Sequence, residues 1–238
     1  MDIADKVVVV TGGGNGIGKA LAERFAQEGA KVVAVADLEA DSAQAVADAI
    51  GGVAFTCNVR DESQIQAMVT QLESDYGSVD IFCSNAGIIA GDGPSWMATG
   101  ADNSVWQAMW DIHVMAHVFA ARACLPGMIE RGSGYFLNTV SAAGLLNQIG
   151  DSAYSTTKHA AIGFAESLAI THGDEGIGVS MLCPQAVDTR MIRQLDDSDD
   201  GGSAGLDGVL SPAAVAEAAV QGLSEGLFLI LPHQEVEE

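Results

Sequence analysis

The stretch "VVVVTGGGNGIGKALAERF", residues 7–25, constrains the fold more than any other part of the chain. Residues 6–10 are short, β-branched and unbroken by alternating polar positions, which reads as a strand buried on both faces. A Gly-rich turn follows at once over residues 11–18, and residues 16–28 then carry helical periodicity. A buried strand that turns tightly into a helix opens a parallel α/β sheet, because a parallel partner strand can be reached only through a crossover.

The alternation continues. Residues 31–36, 54–58, 79–84, 134–140 and 178–183 read as further strands. Helical patterns lie between them, including residues 39–50, 103–130 and 152–172. Ser211 is placed to cap a last helix, with Pro212 in its first turn. The run "LFLILP" closes the series as a final strand. This order implies a doubly wound parallel sheet with helices on both faces and ligands bound beyond the carboxyl ends of the strands. The 238 residues, 48% of them hydrophobic, fit one α/β domain better than two.

Charge and cysteine usage exclude several functions. A formal charge of −22 repels phosphate backbones and anionic lipid, so neither nucleic acid nor a membrane surface is an expected partner. No unbroken apolar run has the length of a bilayer span, and no secretory signal opens the chain. Cys57, Cys83, Cys124 and Cys183 are widely spaced and form no C-x-x-C, so they read as buried free thiols of a cytoplasmic protein. The acidic, Gly-rich segment 196–208 reads as a solvated lid, part of a flexible region spanning about residues 189–210. Asp196, Ser198, Asp200, Gly201 and Asp207 imitate the offsets of a calcium loop, but that loop ends in Glu and is flanked by helices.

The Gly-rich turn can cradle a pyrophosphate, since glycines admit close backbone approach and the helix start offers free N–H groups. Asp37 ends the second strand, where a carboxylate can bind the adenosine ribose hydroxyls and repel a 2′-phosphate. That favours NAD; the competing reading of Asp37 is a cap for the following helix. Tyr154 and Lys158 lie four apart on a helix, so both project from one face. An ammonium beside a phenol stabilises the phenolate, and the pair is expected to act as an acid/base with the Tyr154 pKa lowered. Ser141, at the carboxyl end of the fifth strand, can donate to a substrate oxygen, or serve only as a turn or cap serine.

These motifs together make the chain resemble the short-chain dehydrogenase/reductase family. T-G-x-x-x-G-x-G matches Thr11, Gly12, Gly16 and Gly18; N-A-G matches Asn85, Ala86 and Gly87; the catalytic Ser, Tyr and Lys match Ser141, Tyr154 and Lys158. The resemblance implies a single Rossmann domain with seven parallel strands and hydride transfer at nicotinamide C4. It implies Lys158 on the nicotinamide ribose, and a homotetramer or homodimer. It extends the cofactor set to Asn15, Ile17 and Leu38, to Asn58 and Val59 on the adenine, and to Pro184, Val187 and Thr189 on the nicotinamide side. Two departures stand out. Asn58 replaces the usual Asp while keeping an acceptor, and Gln185 replaces the Gly of a Pro-Gly turn.

A third departure lies in "MWDIHVMAHVF", residues 109–119, where His113 stands in place of the family's catalytic Asn. In the family, the backbone carbonyl of that Asn holds a water that links the Lys to solvent. Three readings follow. His113 can serve in a working relay, since a carbonyl does not depend on its side chain and imidazole both donates and accepts. It can impair the relay. Or His113 and His117, one turn apart, can clamp a metal, although metal catalysis wants three or four ligands and H-E-x-x-H is absent.

The resulting expectation is an NAD-dependent dehydrogenase or reductase acting on a secondary alcohol or ketone, with no metal. An epimerase or dehydratase on the same fold, and an idle nucleotide-binding scaffold, are the alternatives. The expected substrate walls are the loop 88–101, residues 142–150 and the lid. They offer Ile88, Ile89, Trp96, Met97, Leu145, Leu146, Ile149, Met191 and Ile192, which suit an apolar substrate. Arg190 and Arg193 are the cations that could meet an anionic one.

Overall fold

The structure, a computed structural model, describes residues 1–93, 97–193, 208–233 and 236. The residues that imitate a calcium loop and most of the expected lid, with Trp96, lie outside the described residues. Seven parallel strands form one sheet in the order β3-β2-β1-β4-β5-β6-β7. They are β1 (Val7–Thr11), β2 (Val32–Asp37), β3 (Val53–Thr56), β4 (Ile81–Ser84), β5 (Gly134–Thr139), β6 (Ile177–Leu182) and β7 (Leu229–Ile230). The doubly wound architecture expected from the alternation is therefore present.

Both faces are covered, as the uninterrupted valines of β1 require. Val8 and Val10 face the helices α1 (Gly16–Gln27), α2 (Ala40–Ile50) and α7 (Pro212–Glu225), packing with Leu21, Phe25, Val46 and Leu223. Val7 and Val9 face the other layer, which draws Ile65 and Leu72 from α3 (Glu62–Tyr76), Ala120 and Cys124 from α5 (Ala116–Glu130), and Ala161 and Ala165 from α6 (Ser152–His172). The small residues of α5 and α6 let those helices lie close to the sheet.

Several boundaries differ from the sequence expectation. β3 stops at Thr56, although the Cys57 amide still bonds to the Asp37 carbonyl at 2.8 Å. β7 is reduced to two residues, which pair with Met181 and Leu182 of β6, while the Phe228 and Ile230 carbonyls accept the Met181 and Cys183 amides. The helix expected over Asn103–Glu130 is continuous but not uniform. It runs as α4 (Asn103–Trp110), a π-turn over Asp111–Met115, and α5. Its 28 residues are long and apolar enough by composition to cross a bilayer, a length the unbroken-run criterion did not reveal. Here Ala116, Ala120, Ala121, Cys124 and Met128 are buried in the core instead.

Strand order reverses between β1 and β4, so their carboxyl ends splay and leave a crevice. The Gly-rich turn sits there under tight constraint. Gly12 (φ +62°) and Gly16 (φ +53°) adopt the left-handed region. A Cβ on Gly18 would lie 2.1 Å from the Gly12 carbonyl oxygen, so α1 can pass beneath the turn only with glycine there. Gly18→Ala is expected to lower the unfolding free energy by about 1–3 kcal/mol, read by urea denaturation, because the clash is with backbone and cannot relax by rotamer.

Candidate active site

A cleft of about 840 Å³ runs across the carboxyl ends of the strands from Asp37 to Ile149. That is ample for a dinucleotide with a small substrate beside it. One wall is the Gly-rich turn with Gly12, Asn15, Gly16 and Ile17; the far end carries Leu38, Asn58 and Val59. Asn85, Ala86 and Gly87 line the middle, and Pro184, Val187 and Thr189 close over it. Gly18 does not line the cleft. It belongs to the packing beneath the turn, which is the physical reason for glycine at that position.

The cradle fits a pyrophosphate. Asn15 caps α1 through its backbone alone, with no side-chain bond to the helix amides, so the first N–H groups of α1 are left for a ligand. A Cβ on Gly14 would meet the Asp37 carboxylate at 2.9 Å. Asp37 accepts the Gly14 amide at 2.9 Å through one oxygen and the Glu39 amide at 3.0 Å through the other. It therefore braces the turn and the entry to α2 while presenting its charge to the cleft. The capping reading and the ribose reading are compatible, since each oxygen keeps a lone pair.

Two of the departures acquire a physical description. The Asn58 Oδ1 accepts the Arg60 amide at 3.2 Å, and an amide can only donate, so the oxygen must face inward to the loop. What Asn58 offers a base is thus its amide protons or the second lone pair of a committed oxygen. Gln185 has an ordinary backbone, since Asp5 is the only described non-glycine residue with positive φ. Its amide donates to Nδ1 of the buried His233 at 3.2 Å. The Gln185–His233 contact comes from the C-terminal segment, and no local sequence signal points to it.

The N-A-G segment acts first as a clamp. The Asn85 and Ala86 amides donate to the Thr11 hydroxyl at 3.0 and 3.2 Å, and Asn85 Nδ2 donates to the Thr11 carbonyl at 3.0 Å. The Asn85 side chain is therefore spent on tying β4 to β1.

Beside the clamp lie the three acid/base candidates. Asp151 caps α6, accepting the Tyr154 amide at 3.1 Å, and its second oxygen takes the Ala90 and Gly91 amides. Asp92, also buried, accepts both the amide and the hydroxyl of Ser152. These carboxylates pin the loop after β4 to the first turn of α6, which carries Tyr154. "DSAY" does have an N-cap residue, but the partners in the loop are tertiary and were not foreseen. Ser141 meets its cap reading: its hydroxyl caps a short 3-10 turn over Ala142–Gly144, accepting the Ala143 amide at 3.1 Å, and donates to the Pro184 carbonyl at 3.4 Å. Lys158 donates to the Thr139 carbonyl at 3.0 Å, with Nζ 5.6 Å from the Tyr154 ring centre.

The electrostatics correct one expectation. Tyr154 is not lowered by Lys158; burial pushes its phenol up to about 12, only partly opposed by the neighbouring Ser141 hydroxyl. Burial likewise brings Lys158 down to about 8. In this enclosed pocket the loss of solvation outweighs any Coulomb gain between the two. His113 and His117 are also buried, and both are held well below the usual imidazole range, His117 at about 3, by burial first and then by Lys158. A two-histidine metal clamp has no geometric support, since both ring nitrogens of His113 are already bonded, to the Ile88 amide and to Thr157. No group of three or more metal-ligating side chains occurs among the described residues. His113 sits behind the cleft rather than on it.

Of the residues expected to wall the substrate, Ile88, Ile89, Leu146, Ile149, Met191 and Ile192 line the cleft, with the polar Asn147 and Gln148 among them, whereas Leu145 and Met97 do not. Arg190 lines the cleft but pairs with Glu39 at 3.1 Å.

Residues 6–200 match the family model for short chain dehydrogenases. The chain is 35% identical to a 2,5-dichloro-2,5-cyclohexadiene-1,4-diol dehydrogenase of Sphingobium indicum, over 96% of this chain and 94% of that one. It is 34% identical to a levodione reductase of Leifsonia aquatica, over 81% and 74%. The crystal structure of a short chain dehydrogenase/reductase from Burkholderia phymatum in complex with NAD superposes with a TM-score of 0.88 at 25% identity, covering 100% of this chain and 92% of that one.

The buried ammonium generates a stability test. Below pH 8 both folded and unfolded chains hold the Lys158 proton, and the folded one bears the full desolvation cost. Between about 8 and 10.5 the folded chain releases it first, so that cost fades. Lys158→Met is expected to be more stable than wild type by roughly 1–2 kcal/mol at pH 7, after allowing for the lost bond to Thr139. The difference is expected to shrink steadily from pH 8 to 10.5 in urea titrations.

Proposed function

Because this chain belongs to the short-chain dehydrogenase family of oxidoreductases, we propose that it interconverts a neutral, mainly apolar secondary alcohol and its ketone with NAD. The observation that carries the reading is the gathering of the buried Ser141, Tyr154 and Lys158 in the lining of one cleft large enough for a dinucleotide, with the Lys158 Nζ 5.6 Å from the Tyr154 ring centre. When bound, NAD supplies the hydride acceptor in the oxidative direction and the donor, as NADH, in reverse.

The chain's own residues supply the rest. The Tyr154 phenolic oxygen takes the alcohol proton as the C–O bond gains carbonyl character, and returns it on reduction. A phenol held near 12 stays protonated at neutral pH, so the proton needed for reduction is in place, while the phenolate that oxidation needs is scarce unless aided. Positive charge at the inner end of the cleft is therefore essential for oxidation. Lys158 provides it when protonated, and its depressed pKa makes that provision pH-dependent. Ser141 orients the substrate oxygen and offers its hydroxyl to the developing charge. The Gly-rich turn and the free amides of α1 hold the pyrophosphate, Asp37 the adenosine ribose, and Val187 and Thr189 the nicotinamide side.

The mainly apolar walls support the neutral substrate, and the two relatives above are named for a cyclohexadiene diol and for levodione. Arg190 is paired and exposed, which weakens its attraction for an anion. Four buried free thiols fit a reducing compartment, and the family's usual homodimer or homotetramer is carried over as part of the reading.

Tyr154→Phe is expected to lower turnover by at least 10³-fold while NAD still binds by fluorescence titration. Undiminished turnover would sink the mechanism. Wild type is expected to use NAD in preference to NADP. Asp37→Asn, which removes the charge but keeps an acceptor, is expected to narrow that preference by about tenfold in kcat/KM. A wild type that prefers NADP would contradict the role of Asp37.

A further inference from the structure

His113 is fully buried in the π-turn Asp111–Met115, and each of its ring nitrogens has one neighbour whose chemistry is fixed. The Ile88 backbone amide lies 3.1 Å from Nε2. An amide N–H only donates, so Nε2 carries the lone pair. Nδ1 lies 2.9 Å from the Thr157 hydroxyl. That hydroxyl sits 2.8 Å from the Ala153 carbonyl and 3.0 Å from the Tyr154 carbonyl, both acceptors only. Its single proton goes to them, which leaves its lone pair for Nδ1–H. The bonds thus run one way: Ile88 amide, His113 ring, Thr157 hydroxyl, α6 backbone.

This ordering settles the tautomer as Nδ1–H. A second proton on Nε2 would face the Ile88 N–H with no acceptor. A ring with its one proton and its one lone pair both committed has nothing to pass on. The titratable groups around it are Lys158 and Tyr154 from α6 and His117 from α5, and none of them bonds to it. Yet the ring does touch the acid/base side chain. It meets the Tyr154 ring edge to face, with centroids 5.4 Å apart and planes at 86°. Ile88 and Ile89 also pack with Tyr154, Met109 and Ala153 in one cluster.

We infer that His113 is a positioning residue, whose imidazole is a neutral strut that locks the loop after β4, the π-turn and the Tyr154 turn of α6 into one unit and takes no part itself in proton transfer. The inference rests on the proposed acid/base role of Tyr154. The extra residue of the π-turn belongs to the same device, because it sets the ring between two partners on different elements. An Asn side chain ends near the position of Nδ1 and can reach Thr157 but not Ile88. A Gln reaches toward Ile88 but forgoes Thr157.

The test has two arms. In the first, nitrogen-15 spectra of ring-labelled wild type and His113→Gln identify the His113 signals. The expected result is the Nδ1–H tautomer, which free histidine disfavours, unchanged from pH 5 to 9. Titration of that ring, or an Nε2–H tautomer, would overturn the strut. In the second arm, His113→Ala is expected to lower kcat by about 10–100-fold with little change in NAD affinity. His113→Asn and His113→Gln are expected to recover part of it, and the midpoint of the pH–rate profile is expected to stay put in all three. A midpoint that moves in the folded His113→Asn or His113→Gln variant would make the ring a proton carrier and overturn the inference. Failure of the acid/base reading is seen separately, as turnover surviving in Tyr154→Phe, and leaves the tautomer result intact.

Discussion

The Thr11 hydroxyl is the point on which the cleft depends. It accepts the Asn85 and Ala86 amides and donates to the Cys83 carbonyl at 3.3 Å, so one buried side chain joins the ends of β1 and β4 where the sheet changes direction. A parallel sheet leaves its carboxyl-end amides without strand partners at that reversal, and buried amides must find acceptors. Thr11 satisfies two of them. The Gly-rich turn is then free to present its own N–H groups outward instead of inward.

From that anchor the order of the site follows. Clamping β4 fixes Gly87 and Ile88, and Ile88 reaches α6 through His113 and Thr157. Asp151 and Asp92 make the same connection a second time through Ala90, Gly91 and Ser152. The helix that bears Tyr154 and Lys158 is thus held to the strand that bears the N-A-G segment by several independent bonds. Such redundancy holds the two side chains in register even though burial works against the charged forms of both. The energetic cost of that burial is visible in a phenol driven up and an ammonium driven down.

Much of this was legible in the sequence. The unbroken valines of β1, the Gly-rich turn and the strand-helix alternation dictated the sheet. The residue spacing of Ser141, Tyr154 and Lys158 brought those three together. What the sequence could not reveal depends on contacts between distant segments. The π-turn lies in residues that all read as ordinary helix, and its His113 bonds to Ile88 and Thr157, both distant in sequence. The direction of the Tyr154 shift was misread because neighbours four apart on a helix are visible, whereas enclosure is not. Gly18 was assigned to the cofactor because it belongs to the motif, yet its contact is with the Gly12 carbonyl. His233 reaches Gln185 from 48 residues away, a distance no local pattern spans.

The account stands or falls on whether the purified protein moves a hydride between NAD and a neutral alcohol. The most direct measurement is the growth of reduced-nicotinamide absorbance when the protein and NAD meet a panel of secondary alcohols and diols. The panel should be split between neutral cyclic members and carboxylated or phosphorylated ones. The account predicts absorbance growth with neutral apolar members and little with anionic ones. Tight NAD binding with no absorbance change across the whole panel, and none in reverse with NADH and the matching ketones, would contradict it.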